Sequence, residues 1–298
     1  MTSSTQPDLR ASIQAWDEAA WSLAALALAA SGAAAPELTA AARDLLAAAG
    51  LVGVHGEPPP DLGDPDPGQI ASQAAASLEQ ASALLRGRGS GWQDQSDEAL
   101  LAQGNTSAQA ATAFARILLP VMGDLAGRLA APGARMLDVG TGVGALAVAF
   151  AEAFPQLEVL GIDVFDRALT LAGHTLATSG VGTRVTVRKQ DVADFSDDDG
   201  FDLAWLPAPF IPQPALHAGL PRVAAALRPG GWLIVGHGKF NGTPAQNALT
   251  RLKTIAYGGT PLDEEAAARL LHGAALTSLR QVPTPPGAPA ITIGRKPA

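Results

Sequence analysis

Apolar and polar positions follow two regimes along this 298-residue chain. Up to about residue 130 the apolar residues recur at helical spacing. They predict helices over Leu9–Ala30, from Pro36 to about Ala49, over Gln69–Leu85, over Asp97–Gln103 and over Ser107–Leu129, the last bent near Pro120. Leu51–His55 reads as a short strand and the Pro-, Asp- and Gly-rich Glu57–Gly68 as an exposed loop. Ala131-Pro132-Gly133 is a linker. From Arg135 short apolar runs alternate with helical stretches, the pattern of a parallel sheet covered on both faces. The runs are Arg135–Val139, Glu158–Ile162, Val185–Lys189, Phe201–Leu206 and Trp232–Gly236. Helices are expected over Ala145–Phe154, Phe165–Ser179, Pro214–Leu227, Thr243–Ala256 and Asp263–His272. Thr277–Val282 and Ala290–Gly294, joined by the proline-rich Pro283–Pro289, complete the chain as an antiparallel hairpin. The expected fold class is therefore α/β, a Rossmann-like sheet with helices on both faces, preceded by a mostly α-helical domain. The expected division is 1–106 and 107–298, with 107–134 as a linker helix.

Charge sharpens this division. Residues 1–130 hold 6 Arg and no Lys against 14 Asp and Glu, while residues 131–298 hold 14 of each sign, so the net charge of −8 belongs to the N-terminal part. A nucleic-acid partner needs a basic surface, and none is present. With no cysteine, disulfides, thiolate chemistry and cysteine-bound metals are excluded. Met1–Arg10 is polar and unlike a signal peptide, and Leu23–Ala30 is too short to span a bilayer. A cytoplasmic protein with no membrane contact is expected. No histidine pair has metal-ligand spacing, so no metal is expected.

In an open α/β sheet, ligands sit beyond the carboxyl ends of the strands. That rule selects the glycine turn Gly140–Gly144, then Asp163, Val164 and Phe165, then Gln190, Asp191 and Val192, then Leu206–Phe210, then His237–Lys239. Three acids, Asp138, Asp163 and Asp191, line this edge. Glycines at a helix N-terminus allow close ligand approach, and an acid about twenty residues later can accept a ribose diol. A nicotinamide dinucleotide is the rival ligand, because Gly140, Gly142 and Ala145 satisfy the loose G-x-G-x-x-G/A form. Asp138 would oppose its pyrophosphate, and Gly144 stands one residue early for the third glycine.

Leu137-Asp138-Val139-Gly140-Thr141-Gly142-Val143-Gly144 resembles the first motif of class I S-adenosylmethionine-dependent methyltransferases. Gly161-Ile162-Asp163 resembles their second motif, Gln190-Asp191-Val192 the adenine-contacting segment, and Leu227-Arg228-Pro229-Gly230-Gly231 the turn before the fifth strand. The resemblance covers about residues 107–298 and implies the seven-stranded methyltransferase sheet with S-adenosyl-L-methionine as cofactor. It implies Asp163 on the ribose hydroxyls, Asp138 near the amino end of the methionine part, and Gly140, Thr141 and Gly142 against that part. Asp191 and Val192 would border the adenine, flanked by Val164, Phe165, Gln190 and Leu206. The N-terminal part, with Glu37–Val52 as a degenerate winged-helix segment, is similar to the dimerisation region of bacterial and plant small-molecule O-methyltransferases. That likeness implies a homodimer, a small-molecule substrate, and an N-terminal roof over the partner's site. The expected reaction is O-methylation of an aromatic or polyketide-like natural product. Alternatives are N- or C-methylation of a small molecule, an NAD-dependent oxidoreductase, and a non-catalytic methyltransferase-like partner or regulatory protein.

The departures concern the acceptor. Many such O-methyltransferases carry His-Asp-Trp shortly after the fourth strand, and this chain has Pro209-Phe210-Ile211-Pro212-Gln213 there. Pro207-Ala208-Pro209-Phe210 resembles the Asn/Asp-Pro-Pro-Tyr/Phe motif of N-methyltransferases, with Pro207 in place of the polar residue. His237, after the fifth strand, is the candidate general base. His55, His174, His217 and His272 are expected outside the site. Trp92, Trp205, Pro207 and Phe210, with His237, are the candidate substrate contacts.

Overall fold

The computed structural model describes residues 9–31, 36–50, 67–85, 91–197, 200–284 and 288–298. The expected strand Leu51–His55, with its histidine, and most of the Pro-rich loop after it lie outside the described residues. The chain divides into two units, Met1–Leu85 and Arg86–Ala298. Residues 86–106, expected with the N-terminal part, therefore belong to the second unit.

Among its described residues the first unit contains three helices: α1 (Leu9–Ser31), α2 (Pro36–Ala48) and α3 (Pro67–Leu85). Helix α1 packs on both others. Its small core is Ala25, Ala42 and Leu46, with Leu26, Leu28 and Ala29 partly buried. Trp16 and Trp21 fall among the apolar positions of α1 yet are each 65% exposed.

The second unit opens with a 3₁₀ turn at Trp92–Asp94 and α4 (Asp97–Ala108), capped by Ser96, whose hydroxyl accepts from the Ala99 N–H at 3.2 Å. The sequence predicts an end at Gln103, but α4 runs five residues further, through Gly104. A Cβ on Gly104 would lie 2.2 Å from Val143 Cγ2, so glycine stands there for close packing and not as a breaker. The single helix expected over Ser107–Leu129 is instead broken. Helix α5 (Ala110–Ala113) passes into a π turn at Phe114–Leu118 and a 3₁₀ turn at Leu119–Val121, and α6 (Leu125–Leu129) follows. Pro120 has no N–H for the Arg116 carbonyl and its ring crowds that position, so the α ladder cannot continue. The buried stripe Phe114, Leu118, Met122, Leu125 and Leu129 still reaches the core through these changes of pitch.

Seven strands then form one sheet: β1 (Arg135–Val139), β2 (Glu158–Asp163), β3 (Val185–Lys189), β4 (Phe201–Pro207), β5 (Leu227–His237), β6 (Thr277–Val282) and β7 (Ala290–Arg295). Their order is β3-β2-β1-β4-β5-β7-β6. The first five are parallel, and β7 runs antiparallel between β5 and β6. This is the seven-stranded arrangement the sequence leads one to expect. Between the strands lie α7 (Ala145–Ala153), α8 (Asp166–Thr178), α9 (Gln213–Ala226), α10 (Pro244–Ala256) and α11 (Glu264–Gly273). The central strands read as apolar runs because both faces are covered. Met136, Leu203, Trp232 and Ile234 pack on one face with α7, and Leu137, Ala204, Leu206, Leu233 and Val235 on the other with α9 and α11. Strand β5 starts earlier than expected, because Leu227 already pairs with Phe201. At the opposite end from the ligand edge, Asp202 Oδ2 accepts from the Arg135 N–H at 3.1 Å and from the Arg228 guanidinium at 2.7 Å, tying β1, β4 and β5 together. Among the described residues no helix is long and apolar enough to cross a membrane.

Candidate active site

Beyond the carboxyl ends of β1 to β4 lies a cavity of about 420 Å³. Its floor is the turn from Val139 to Ala145. Gly140 and Gly142 adopt φ of +66° and +57°, a region costly for residues with a Cβ. The turn is fixed from below. The Thr141 N–H donates to the Ile162 carbonyl at 3.0 Å, the Gly144 N–H to the Thr141 carbonyl at 2.9 Å, and the Gly142 N–H to Asp163 Oδ2 at 2.8 Å. These amides are spent inside the protein. The glycines therefore provide room for a ligand, and these three N–H groups bond within the protein. Gly161 completes the arrangement, since a Cβ there would stand 2.6 Å from Thr141 Oγ1.

The two central acids differ in their partners. Asp138 is buried, and its Oδ2 accepts the Thr141 hydroxyl at 2.7 Å. Burial pushes its pKa up to about 7; the Thr141 hydrogen bond opposes the rise and the charge of Asp163 adds to it. Asp163 accepts from Gly142 N through Oδ2 and from Phe165 N through Oδ1 at 3.0 Å. Burial raises its pKa and these backbone bonds restrain the rise. A carboxylate has about four acceptor positions, so Asp163 keeps capacity for a ribose hydroxyl beside these backbone bonds. The third acid, Asp191, is exposed and caps the turn Val192–Asp194 by accepting the Ala193 N–H at 2.8 Å.

The cavity brings together nearly every residue singled out in the sequence. Asp138, Gly140, Thr141, Gly142, Asp163, Val164, Phe165, Gln190, Asp191 and Val192 all line it, as do Trp92, Trp205, Pro207 and Phe210. Two do not. Leu206 alternates with Trp205 and Pro207 and so points into the opposite core face, fully buried. His237 is a larger correction. Along β5 it shares parity with Leu233 and Val235, which pack on that same face. It is fully buried, with Nε2 2.9 Å from Thr292 Oγ1 and Nδ1 3.1 Å from the Gly238 carbonyl oxygen. Burial lowers its pKa. Strand parity and the β7 partner take it out of the cavity, so it cannot act as general base in this arrangement.

Sequence reasoning singled out Trp92 and Phe210 but missed Tyr257, which joins them in the upper wall. Trp92, Phe210 and Tyr257 form a closed aromatic trio with centroids 5.2–5.3 Å apart. Three remote segments converge there through backbone bonds. The Gly91 N–H donates to the Ala256 carbonyl at 3.1 Å, and the Thr260 N–H to the Ala208 carbonyl at 3.0 Å. Gly259 lies so close to the Pro209 carbonyl that any side chain would overlap it. Tyr257, the only tyrosine, has its pKa pushed up to about 12 by burial. Trp92 Nε1 is buried without a hydrogen-bond partner. The side wall is α4, whose Leu100, Gln103, Gly104 and Ser107 line the cavity at helical spacing.

The close approach of α4 is testable. Alanine at a helix interior normally stabilises by about 1 kcal/mol over glycine. Gly104→Ala is expected to do the reverse, lowering stability by about 1–3 kcal/mol through overpacking on Val143, and to weaken ligand binding. A raised melting temperature in thermal denaturation would contradict this packing.

Comparison with known proteins agrees with this geometry. Residues 136–231 match the family model described as a methyltransferase domain. Together with the sheet order, this match gives the second unit the class I methyltransferase fold. The cofactor of such a domain is S-adenosylmethionine. The residues fit it: a glycine floor with room, a buried acid for a cationic group, and a second acid with acceptor capacity for a ribose hydroxyl. Among curated proteins, the methyltransferase domain is similar to the release factor glutamine methyltransferase of Rhodopirellula baltica, 31% identical over 122 residues, 40% of this chain and 41% of that protein. It is also similar to that of Xylella fastidiosa strain 9a5c, 30% identical over 164 residues, 47% of this chain and 59% of that protein. The chain thus spans about half the length of the curated relatives it matches. Solved structures share the fold along nearly the whole chain. An O-methyltransferase family protein from Burkholderia thailandensis aligns with a TM-score of 0.62 at 17% identity, covering 99% of each chain. Human N-acetylserotonin methyltransferase in complex with S-adenosylmethionine aligns with a TM-score of 0.63 at 14% identity, covering 100% of each.

Proposed function

We propose that this protein transfers a methyl group from S-adenosylmethionine to a small, flat acceptor, by O-methylation of an aromatic or polyketide-like natural product. The observation that carries the reading is the wall of Trp92, Phe210, Tyr257 and Trp205 in the same cavity as the glycine turn. Aromatic walls hold planar molecules by stacking. The structural neighbours that span both units include proteins described as O-methyltransferases.

When bound, the cofactor supplies an already activated methyl group on a sulfonium. The protein's part is then placement. Asp163 receives the ribose hydroxyls and Asp138 the amino end of the methionine part. Gly140 and Gly142 let that part lie close to the turn, while Asp191 and Val192 border the adenine beside Phe165. Aligning two reactants supplies about 7–11 kcal/mol of barrier lowering, against about 3–5 kcal/mol from a general base. Among the described residues no histidine lines the cavity, so an acceptor that is already nucleophilic suits it. N-methylation is the second reading, favoured by Pro207–Phe210 and by the glutamine methyltransferase names of the curated relatives. We assign the N-terminal unit to homodimerisation and to a roof over the partner's site, in a cytoplasmic protein.

Calorimetry with S-adenosylmethionine, its demethylated product and NAD tests the cofactor. The first two are expected to bind and NAD not to; tight NAD binding with no S-adenosylmethionine binding overturns the reading. Transfer is tested with methyl-labelled cofactor on paired phenol and amine acceptors of one ring system. Label on oxygen supports the first reading and label on nitrogen the second.

A further inference from the structure

The walls of the cavity are braced from behind. Gly104, Gly161 and Gly259 leave no room for a Cβ against Val143, Thr141 and the Pro209 carbonyl. Two more glycines do the same. A Cβ on Gly219 of α9 would stand 2.6 Å from Val192 Cγ2. One on Gly236 of β5 would stand 2.9 Å from Trp205 Cη2 and 3.2 Å from Trp205 Cζ2. Thr141, Val143, Val192 and Trp205 all line the cavity. Each is seated directly on a neighbouring element, and a close-packed wall does not yield without cost.

With braced walls, volume limits what enters. The described lining residues all belong to the second unit, and the space they enclose is about 420 Å³. Pockets for one drug-sized ligand run from about 300 to 1,000 Å³. S-adenosylmethionine is itself of that size, so it leaves little of this cavity for an acceptor. Trp205 takes up part of the remainder. It pairs across the sheet with Asp138 of β1, so the two side chains project from the same face. The outer edge of its indole lies on Gly236. It packs on the core and is half-buried, with the cavity on its open side.

We infer that the cavity admits an acceptor of one aromatic ring beside the cofactor, and that Trp205, seated on Gly236, sets this limit. The inference rests on the acceptor reading above and narrows it from flat molecules to single-ring phenols. It makes Trp205 a gauge of acceptor size as well as a stacking surface. It also gives Gly236 a part in specificity, because a side chain there would drive the indole into the cavity.

The test uses the full chain saturated with S-adenosylhomocysteine, the demethylated product, and titrates phenol and 2-naphthol by calorimetry. A fused second ring adds apolar surface, so a roomy cavity would bind 2-naphthol more tightly. The unsubstituted protein is expected to bind phenol about tenfold more tightly than 2-naphthol, or better. Trp205→Ala is expected to reverse that order by making room for the second ring. Gly236→Ala is expected to weaken phenol about tenfold or more. Binding of S-adenosylhomocysteine reports that each variant is folded. If Trp205→Ala does not fold, Trp205→Phe carries the same test, with the preference for phenol expected to shrink. Equal or tighter binding of 2-naphthol by the unsubstituted protein overturns the inference. So does an unchanged preference in a folded Trp205 variant. If the unsubstituted protein binds S-adenosylhomocysteine and neither probe, the acceptor reading itself fails, a result distinct from both.

Discussion

Asp163→Ala is expected to weaken cofactor binding by about 10²-fold or more, because two charge-assisted hydrogen bonds to the ribose are each worth about 1.5–3 kcal/mol. It should weaken 5′-methylthioadenosine, which lacks the amino-acid end of the cofactor, to a similar degree, since that ligand keeps the ribose. The variant has a second effect, on the fold. Asp163 also accepts from Gly142 N and Phe165 N, so its removal strands two amides at the edge of the cavity. Each orphaned buried donor costs about 1–3 kcal/mol. Thermal denaturation without ligand should therefore show a lower melting temperature, and calorimetry below that temperature should show the lost affinity. If the melting temperature falls while cofactor affinity is retained, the carboxylate serves only to brace the turn, and the ribose assignment is wrong.

The second large effect concerns Asp138 and pH. Its pKa in the folded protein is about 7, against an ordinary value of 3.8. The folded state thus binds this proton more tightly than the unfolded chain. The stability that protonated Asp138 contributes is complete below the ordinary value and is lost as pH rises from about 4 to about 7. Three units at 1.36 kcal/mol each set the scale of that loss, on the order of 4 kcal/mol without ligand. Asp138→Asn removes the titration, so the ligand-free variant should be more stable than the unsubstituted protein at pH 8 and nearly equal to it at pH 4. A bound ammonium reverses the balance, because it favours the ionised acid. Cofactor affinity of the unsubstituted protein should rise with pH through about 7, while the variant binds more weakly and with little pH dependence. Denaturation and calorimetry between pH 5 and 8 check both arms. A ligand-free stability curve that is the same for the two proteins would show that Asp138 is not strained by its burial.

The strands of the sheet were legible in the sequence because burial on both faces leaves short apolar runs, as in Val159 to Ile162. The cofactor half of the cavity was legible because it is nearly local. Asp138, Thr141 and Gly142 belong to one turn, and Asp163 ends the neighbouring strand, so the sequence order places them together. The opposite half was legible only in part: Trp92, Trp205, Pro207 and Phe210 were singled out, whereas Tyr257 and the wall from α4 were not. Trp92, Phe210 and Tyr257 lie far apart in the chain, and tertiary contacts such as the bonds from Gly91 to Ala256 and from Thr260 to Ala208 bring them together. Gly104 misled for a related reason. In the sequence it looks like the end of a helix, and in the fold it is the contact that lets the helix continue.

His237 marks the limit of strand-end reasoning. The sequence places it at the correct edge of the sheet, but the parity of β5 and the pairing with β7 decide which face it occupies, and they turn it toward Thr292. By itself the sequence determined the α/β sheet, its order of motifs and the acids of the cofactor edge, because each depends on residues close in the chain or on a simple period. The tertiary structure decided which side chains face the cavity, that α4 closes one wall, and that no histidine among the described residues reaches it. Those outcomes depend on the register and approach of elements distant in sequence, which no local pattern encodes.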